Sequence, residues 1–155
     1  MPWDSVMIKD NPSLNIWGGT NVRVSRQADY AIRVVFDLSR HPEARIKEIA
    51  RRQQLSPSYV GRISQRLAKT GILKNKRGRL GCLGLACPPD QVTLMDVIEA
   101  VDGPVKVDRC LLAPAECGQE RACPVYEVGQ EMLLMATAKL SSTTFANLVN
   151  GQRAR

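Results

Sequence analysis

The chain has 155 residues, so we expect one domain with an appendage. Since 44% of the residues are hydrophobic and only 5% aromatic, its core should be small and aliphatic. Its net charge of +7 favours a polyanionic partner, either nucleic acid or an anionic membrane surface. No apolar run approaches the roughly 20 residues of a transmembrane helix, and the first residues lack the build of a signal peptide. We therefore expect a cytoplasmic protein, in which the five cysteines indicate metal, cluster or redox chemistry before disulfides.

The basic residues are concentrated in one segment. Between Arg45 and Arg79, eleven Lys or Arg residues stand against one acid, Glu48, so the segment carries +10 and the rest of the chain −3 of the total +7. Such clustering is typical of a nucleic-acid-binding face, whereas a surface that only confers solubility usually mixes the two signs.

The first ordered element is predicted after a polar extension. Residues 1–21 show no periodicity, and we expect them to be flexible. Ser25 is a suitable N-cap for a first helix that ends near His41, because apolar residues recur between them at helical spacing. His41, the single histidine, is interpreted as a helix cap rather than a metal ligand.

Two further helices follow at close spacing. The second is predicted over residues 46–53, with Arg51 and Arg52 facing outward. Ser56 as N-cap and Pro57 at the first helical position begin the third, which runs to about Thr70. It is predicted to bury Tyr59, Val60, Ile63 and Leu67 and to expose Ser58, Gly61, Arg62, Gln65, Arg66 and Lys69. This is a helix-turn-helix, whose second helix enters the DNA major groove.

A β-hairpin wing is predicted next. Apolar stretches at 71–73 and 80–86 flank the basic turn 74–79, whose cations would meet the DNA backbone or the minor groove. Cys82 lies on the second strand and is interpreted as an inert core thiol. Residues 22–90 are thus predicted to form a winged helix-turn-helix domain.

A cysteine-rich loop follows a fourth helix that Thr93 caps and residues 102–104 end. Cys110, Cys117 and Cys123 fall within this loop, which glycine and proline keep out of regular structure. Three soft thiolates gathered in a loop favour a thiophilic metal or an iron–sulfur cluster.

The longest helical stretch is predicted over residues 124–148. Its wide apolar stripe has no partner of similar length in the chain, so we expect a second copy to cover it. A twofold dimer would present two reading helices to a pseudo-palindromic operator in double-stranded DNA. The predicted fold is therefore mainly α with a small β-wing: residues 91–148 form the cluster-binding loop and the dimerisation helices, and residues 149–155 form a C-terminal tail.

An ordered series of motifs carries a family resemblance. The motifs are Val22–Ala31, Leu55–Val60, Leu67–Leu73, Val97–Gly103 and then the three loop cysteines. Over about residues 22–148 the chain resembles the Rrf-type winged-helix regulators, which include iron–sulfur-assembly regulators and nitric-oxide-responsive repressors. The resemblance implies a dimeric transcription factor whose loop cysteines bind a 2Fe–2S or 4Fe–4S cluster that tunes promoter binding.

The resemblance also implies individual roles. Cys110, Cys117 and Cys123 would be the cluster ligands. The assembly regulators have a histidine ligand where this chain has Tyr126, whereas the nitric-oxide-responsive branch points to Asp29, supplied by the partner subunit.

For DNA, the base-contacting stretch falls on Ser58, Gly61 and Arg62, and Arg77 matches a wing arginine that enters the minor groove. The predicted DNA-binding residues are Ser56, Ser58, Tyr59, Gly61, Arg62, Gln65, Arg66, Lys76, Arg77 and Arg79.

Two alternatives stay open at this point. The loop could be a cluster-free thiol switch, or a zinc site formed by the three cysteines with Asp29. A protein of another class, a redox or electron-transfer protein, is disfavoured because the chain has no Cys-x-x-Cys pair, no glycine-rich nucleotide loop and no catalytic constellation. We therefore expect no enzymatic activity and no small-molecule substrate.

Overall fold

The computed structural model describes residues 25–76, 81–105 and 124–153. Its helices are α1 (Arg26–Arg40), α2 (Ile46–Gln53), α3 (Pro57–Lys69), α4 (Leu94–Asp102), α5 (Pro124–Ser142) and α6 (Phe145–Arg153). Its strands are β1 (Ala44–Arg45), β2 (Leu73–Lys76) and β3 (Cys82–Leu85), in one antiparallel sheet of order β1–β3–β2. The mainly helical fold with a small β-wing is confirmed. No helix within these ranges is long and apolar enough to cross a membrane.

The helix-turn-helix begins and ends at the predicted residues. The Ser25 hydroxyl accepts a hydrogen bond from the Ala28 N–H at 3.1 Å and caps α1. Gln54 takes a left-handed conformation, φ 54°, and ends α2. The Ser56 hydroxyl then accepts from the Tyr59 N–H at 3.3 Å, with Pro57 in the first turn of α3.

A single hydrophobic core joins the two predicted regions. Leu38 of α1, Ile49 of α2 and Leu67 of α3 lie in the same buried cluster as Val97 of α4 and Phe145 of α6. Helices α4 and α6 both pack against α1. The predicted boundary between residues 90 and 91 therefore runs through a shared core, and α4 is part of the platform on which the reading helix rests.

The predicted long C-terminal helix is two helices. The chain leaves α5 at Thr143 and Thr144, where the Thr143 carbonyl accepts from the Leu94 N–H, and the Phe145 N–H donates to the Val92 carbonyl, each at 3.0 Å. The Thr144 hydroxyl accepts from an N–H in the first turn of α6 and starts that helix. These bonds turn Phe145 into the core instead of into a dimer interface, and α6 continues through residues 149–153 of the predicted tail.

The wing differs from the prediction at its base. Lys74, Asn75 and Lys76, which were assigned to the turn, belong to strand β2, with Lys74 paired to Gly84 and Lys76 to Cys82. The predicted second strand is shorter than expected, Cys82–Leu85, and the hairpin gains a third strand, β1, that had no alternating sequence pattern. Two residues are too few to show the period of a strand.

Arg52 is exposed as predicted, but its guanidinium pairs with Asp37 of α1. Its Nη2 lies 2.7 Å from Asp37 Oδ2, and Gln53 Nε2 donates to Asp37 Oδ1 at 3.1 Å. The Asp37 side chain is buried, so this charge requires a paired, hydrogen-bonded partner. The hydrogen bond to Asp37 raises the pKa of Arg52 above its usual value, against the opposing effect of burial. The pair holds α2 against α1 and is structural.

Replacement of Phe145 by Ala tests whether the last helix belongs to the core. We expect Phe145→Ala to lower the free energy of unfolding by about 3–5 kcal/mol, because a fully buried ring is removed. The control Asn147→Ala changes an exposed side chain of the same helix and should stay within about 0.5 kcal/mol of the parent. Denaturant unfolding at equal protein concentrations measures both, and equal midpoints for the two variants would contradict the assignment.

Candidate nucleic-acid interface

Helix α3 presents a polar and basic face to solvent. The side chains of Arg62, Gln65 and Lys69 are exposed, while Val60 and Ile63 on the opposite face are buried. This separation confirms the periodicity read from the sequence for those residues. At the start of the helix, the Ser56 and Ser58 hydroxyls are exposed and lie 3.1 Å apart. The N-terminal turns of a reading helix are the part that meets base edges in helix-turn-helix proteins.

Tyr59 was predicted to be buried, and this is wrong: 45% of the residue is exposed. Its ring meets Tyr30 of α1 edge to face, with ring centroids 5.7 Å apart. The guanidinium carbon of Arg62 lies 4.5 Å from the centroid of the Tyr59 ring. The helical stripe alone places Tyr59 at the margin of the core, where the hydroxyl can stay in solvent while the ring packs.

Arg66 is also exposed, but its guanidinium bonds to neighbouring helices. Nη1 donates to the Val101 carbonyl at 3.1 Å and to Gln27 Oε1. The bond to Val101 reaches the last turn of α4, where carbonyls lack helical partners and favour a cation. The Ser25 hydroxyl donates to Asp102 Oδ1 at 2.6 Å at the same place. Arg66 thus ties α3 to α1 and α4, a role that sequence spacing does not reveal.

A cleft of about 420 Å³ runs along this face of α3. Its lining residues are Gln27, Tyr59, Arg62, Ile63, Gln65, Arg66 and Lys69. Three of these side chains are cationic and none is acidic, so the cleft is positive and suits a polyanion.

Gly61 of α3 lies beside Ile46, the first residue of α2. A Cβ built at this position would lie 3.9 Å from Ile46 Cδ1, which is an ordinary contact. Close packing therefore does not require glycine here. Gly61 itself is half-buried, although the sequence predicted that it faces solvent.

The wing was predicted to supply three DNA contacts. Arg77 and Arg79 lie outside the described residues, and Lys76 is described by its backbone in β2. Lys74, two residues earlier in the same strand, is exposed. The described base of the wing therefore adds a cation beside the reading helix, since β2 follows α3 directly.

The predicted metal ligands are divided between described and undescribed parts of the chain. Cys110, Cys117 and Cys123 lie outside the described residues, between the end of α4 and the start of α5. Asp29 is in the first turn of α1, half exposed, with Oδ2 at 3.2 Å from Arg33 Nε. Within residues 25–76, 81–105 and 124–153 no group of three or more His, Cys, Asp or Glu side chains could hold a metal ion.

The remaining cysteines are single thiols. Cys82 is partly buried on β3, and Cys87 is exposed after it; both are free. Cys82 lies on the predicted strand, but it is only partly buried and does not belong to the buried core.

An apolar stripe on α5 is exposed in the single chain. Val128, Met132 and Met135, spaced four and three residues apart, share one face of the helix, and Leu134 adds to the apolar surface beside it. Met135 is 73% exposed. Large apolar side chains grouped in this way mark an interaction surface.

The helix-turn-helix, the positive face of α3 and the three-stranded wing define a winged-helix DNA-binding protein. Residues 24–151 match the Rrf2 family, described as iron-dependent transcriptional regulators, and the chain belongs to this family. It is therefore a DNA-binding transcriptional regulator and not an enzyme.

Individual relatives agree with this assignment. The chain is 28% identical over 134 residues to the HTH-type transcriptional regulator IscR of Photorhabdus laumondii, covering 84% of this chain and 82% of the relative. It is 34% identical over 110 residues to protein aau3 of Rhizobium meliloti, covering 68% and 67%. Among solved structures, IscR of T. potens superposes with a TM-score of 0.69 at 26% identity, over 85% of this chain and 89% of that one.

Proposed function

We propose that the chain is a homodimeric transcriptional regulator whose three loop cysteines bind an iron–sulfur cluster, and that the state of this site adjusts operator binding by α3 and the wing. In this role it would act in the cytoplasm, on a pseudo-palindromic site in double-stranded DNA. The observation that carries the proposal is the tie between the reading helix and the end of α4, where Arg66 meets Val101 and the chain then enters the cysteine segment.

The positions of the exposed side chains along α3 suggest which of them would contact bases and which would contact the DNA backbone. Ser58, Gly61 and Arg62, in the first half of the helix, would face base edges. Gln65 and Lys69 lie towards the end of the helix and would meet sugar and phosphate groups. Ser56, Lys76, Arg77 and Arg79 complete the proposed contacts, whereas Tyr59 and Arg66, which the sequence also assigned to DNA, support this surface through their contacts within the protein.

DNA binding of this kind should depend strongly on salt. If each dimer makes roughly 6–10 phosphate contacts, affinity falls by about 10³–10⁵ between 50 and 200 mM salt, because bound counterions are released. Lys69→Ala should lower the affinity for all duplexes alike and reduce the salt slope. Fluorescence anisotropy with labelled duplexes measures both quantities. An affinity that is flat across this salt range would contradict a phosphate-reading face.

Cluster binding is proposed from the chemistry of the donors. Three thiolates within fourteen residues suit iron in a sulfide cluster, which requires the cysteines to be reduced and deprotonated. The first of them, Cys110, follows eight residues after Asp102, the last residue of α4. The hydrogen bond from Ser25 to Asp102 brings that end of α4 against the start of α1. Loss of the cluster would alter the junction between α4 and α1. This would shift the populations of two orientations of the DNA-binding helices.

Asp29 is the proposed fourth ligand, supplied by the partner subunit. Its carboxylate is half exposed and lies in the first turn of α1, on the helix whose start meets α4. The ion pair that it forms with Arg33 spans four residues on an exposed surface and is worth at most about 0.5 kcal/mol. Recruiting the carboxylate to iron therefore costs little, although carboxylates are weaker partners for soft metals than thiolates.

Serine substitution tests the cluster site. Protein purified without oxygen should be brown and contain iron and sulfide, and the triple variant Cys110→Ser, Cys117→Ser and Cys123→Ser should lose both. We expect operator affinity to change by about 5- to 150-fold between the two, the usual range of allosteric coupling. Cys87→Ser, which removes an exposed thiol outside the trio, should change neither quantity.

Each alternative gives a different result in this experiment. Zinc without sulfide would indicate the zinc site. Metal-free protein whose DNA binding responds to thiol oxidation would indicate the thiol switch. A triple variant that binds every operator as the cluster-bearing protein does would contradict the coupling.

Dimerisation is proposed through α5. The stripe of Val128, Met132 and Met135 needs a cover, and a second copy of the same helix offers the same stripe in a twofold arrangement. Two copies would also place two α3 helices for two half-sites of one operator.

A charge placed in the stripe should separate the subunits. Met135→Glu puts a carboxylate into the proposed apolar contact, and burying an unpaired charge there is unfavourable. Sedimentation should show a dimer for the parent and a folded monomer for this variant. The matched control Ser141→Glu adds the same charge at an exposed position of the same helix and should stay dimeric. A parent chain that is monomeric at micromolar concentration would refute the arrangement.

A further inference from the structure

The three cations along α3 differ in what their side chains do. Arg66 donates to Val101 and Gln27 and is taken up in holding the helices together. Lys69 is the last residue of the helix and carries a compact charge on a flexible stem. Arg62 is the exposed cation nearest the N-terminal half of the helix, and an aromatic ring holds its guanidinium.

The aromatic support of Arg62 is itself fixed to the core. The guanidinium carbon lies 4.5 Å from the ring centroid of Tyr59, one helical turn earlier. The Tyr59 ring in turn meets Tyr30 edge to face, at 5.7 Å and an interplanar angle of 73°. Tyr30 packs against the buried core cluster from helix α1. The two aromatic rings therefore link the orientation of Arg62 to helix α1.

A guanidinium held in this way suits one particular base. Arginine has five N–H donors in a planar fork, and guanine offers two acceptors, O6 and N7, side by side in the major groove. A free arginine loses much rotamer freedom when it makes both bonds, whereas a side chain already resting on a ring loses less. The cation–π contact leaves the edge of the fork free to donate.

We propose that Arg62 reads a guanine in the major groove, and that Tyr59, braced by Tyr30, is the residue that positions it. The inference deepens the proposed DNA-reading function and rests on it. The chemical class that it assigns is a G·C pair in each half-site, read through guanine O6 and N7. Tyr59 acts through Arg62 and not through a bond of its own hydroxyl to DNA.

Selection from randomised duplexes gives the binding preference of the parent protein. One position should require guanine, and replacing it should cost about 5- to 150-fold in affinity, the usual worth of a bidentate contact. A selected duplex with 7-deazaguanine at that position lacks the N7 acceptor and should bind more weakly, while the same replacement at other guanines has a smaller effect.

Variants at position 62 separate charge from geometry. Arg62→Ala should lose the guanine preference and become insensitive to 7-deazaguanine. Arg62→Lys keeps the charge but lacks the fork, so it should retain salt-dependent affinity with most of the preference lost. Lys69→Ala serves as the control, because it should weaken all duplexes alike and leave the preference unchanged.

Variants at position 59 test the positioning role. Tyr59→Phe keeps the ring and should retain the preference, whereas Tyr59→Leu removes the ring and should lower the preference by severalfold. In the Arg62→Ala background, Tyr59→Leu should change the preference no further, since the two residues act as one unit. Thermal unfolding of each variant identifies any that fail to fold. If Tyr59→Leu fails to fold, Tyr59→Phe supplies the test.

The outcomes distinguish this inference from the function on which it rests. A parent protein that enriches no sequence overturns the proposed operator binding, and this inference with it. A guanine preference that survives in Arg62→Ala overturns the inference alone. A Tyr59→Phe variant that loses the preference as fully as Arg62→Ala would show that the hydroxyl contacts DNA, and would overturn the positioning role.

Discussion

Helix α1 is the common support on which the arrangement of the other elements depends. Helices α2, α3, α4 and α6 all pack against it. Ala28 and Ala31 are fully buried there, and their small side chains let neighbouring helices approach closely. The hydroxyl of Ser25, the N-cap of α1, donates to Asp102 at the end of α4, and Gln27 and Tyr30 of α1 contact α3. One helix therefore sets the positions of both α3 and the end of α4.

Local sequence rules predicted the elements whose ends are made by single residues. Ser25, Ser56 and Thr93 each cap the helix that was expected, because a hydroxyl that accepts from a backbone N–H needs no tertiary context. The break at Thr143 and Thr144 was missed, because backbone bonds to the start of α4, distant in sequence, stabilise it. Apolar periodicity continued through the break and suggested one helix, whereas tertiary hydrogen bonds decided for two.

The charge pattern indicated which segment of the chain forms the basic face, but it did not indicate which cations in that segment are free to meet DNA. The +10 segment does contain the reading helix, but Arg52 neutralises the buried Asp37, and Arg66 spends its bonds on Val101 and Gln27. Counting cations therefore overstates the number available to DNA. The partners of these two arginines lie at sequence separations of 15 for Asp37 and 35 and 39 for Val101 and Gln27, and no local pattern links residues so far apart. Tyr59 was misplaced for a related reason: the ring against which it packs, that of Tyr30, lies in another helix.

The junction at the end of α4 explains how a site in the cysteine segment could act on DNA without touching it. Arg66 donates to the Val101 carbonyl, and Cys110 follows nine residues further along the chain. In the proposed regulator, a change in how the thiolates are held moves the end of α4, and α3 follows because the two helices share Arg66 and α1. Linkage makes such coupling reciprocal, so operator binding must favour one state of the thiolates by the same free energy by which that state favours the operator. An interface of two packed helices responds to such a bias by shifting between discrete arrangements rather than by deforming gradually.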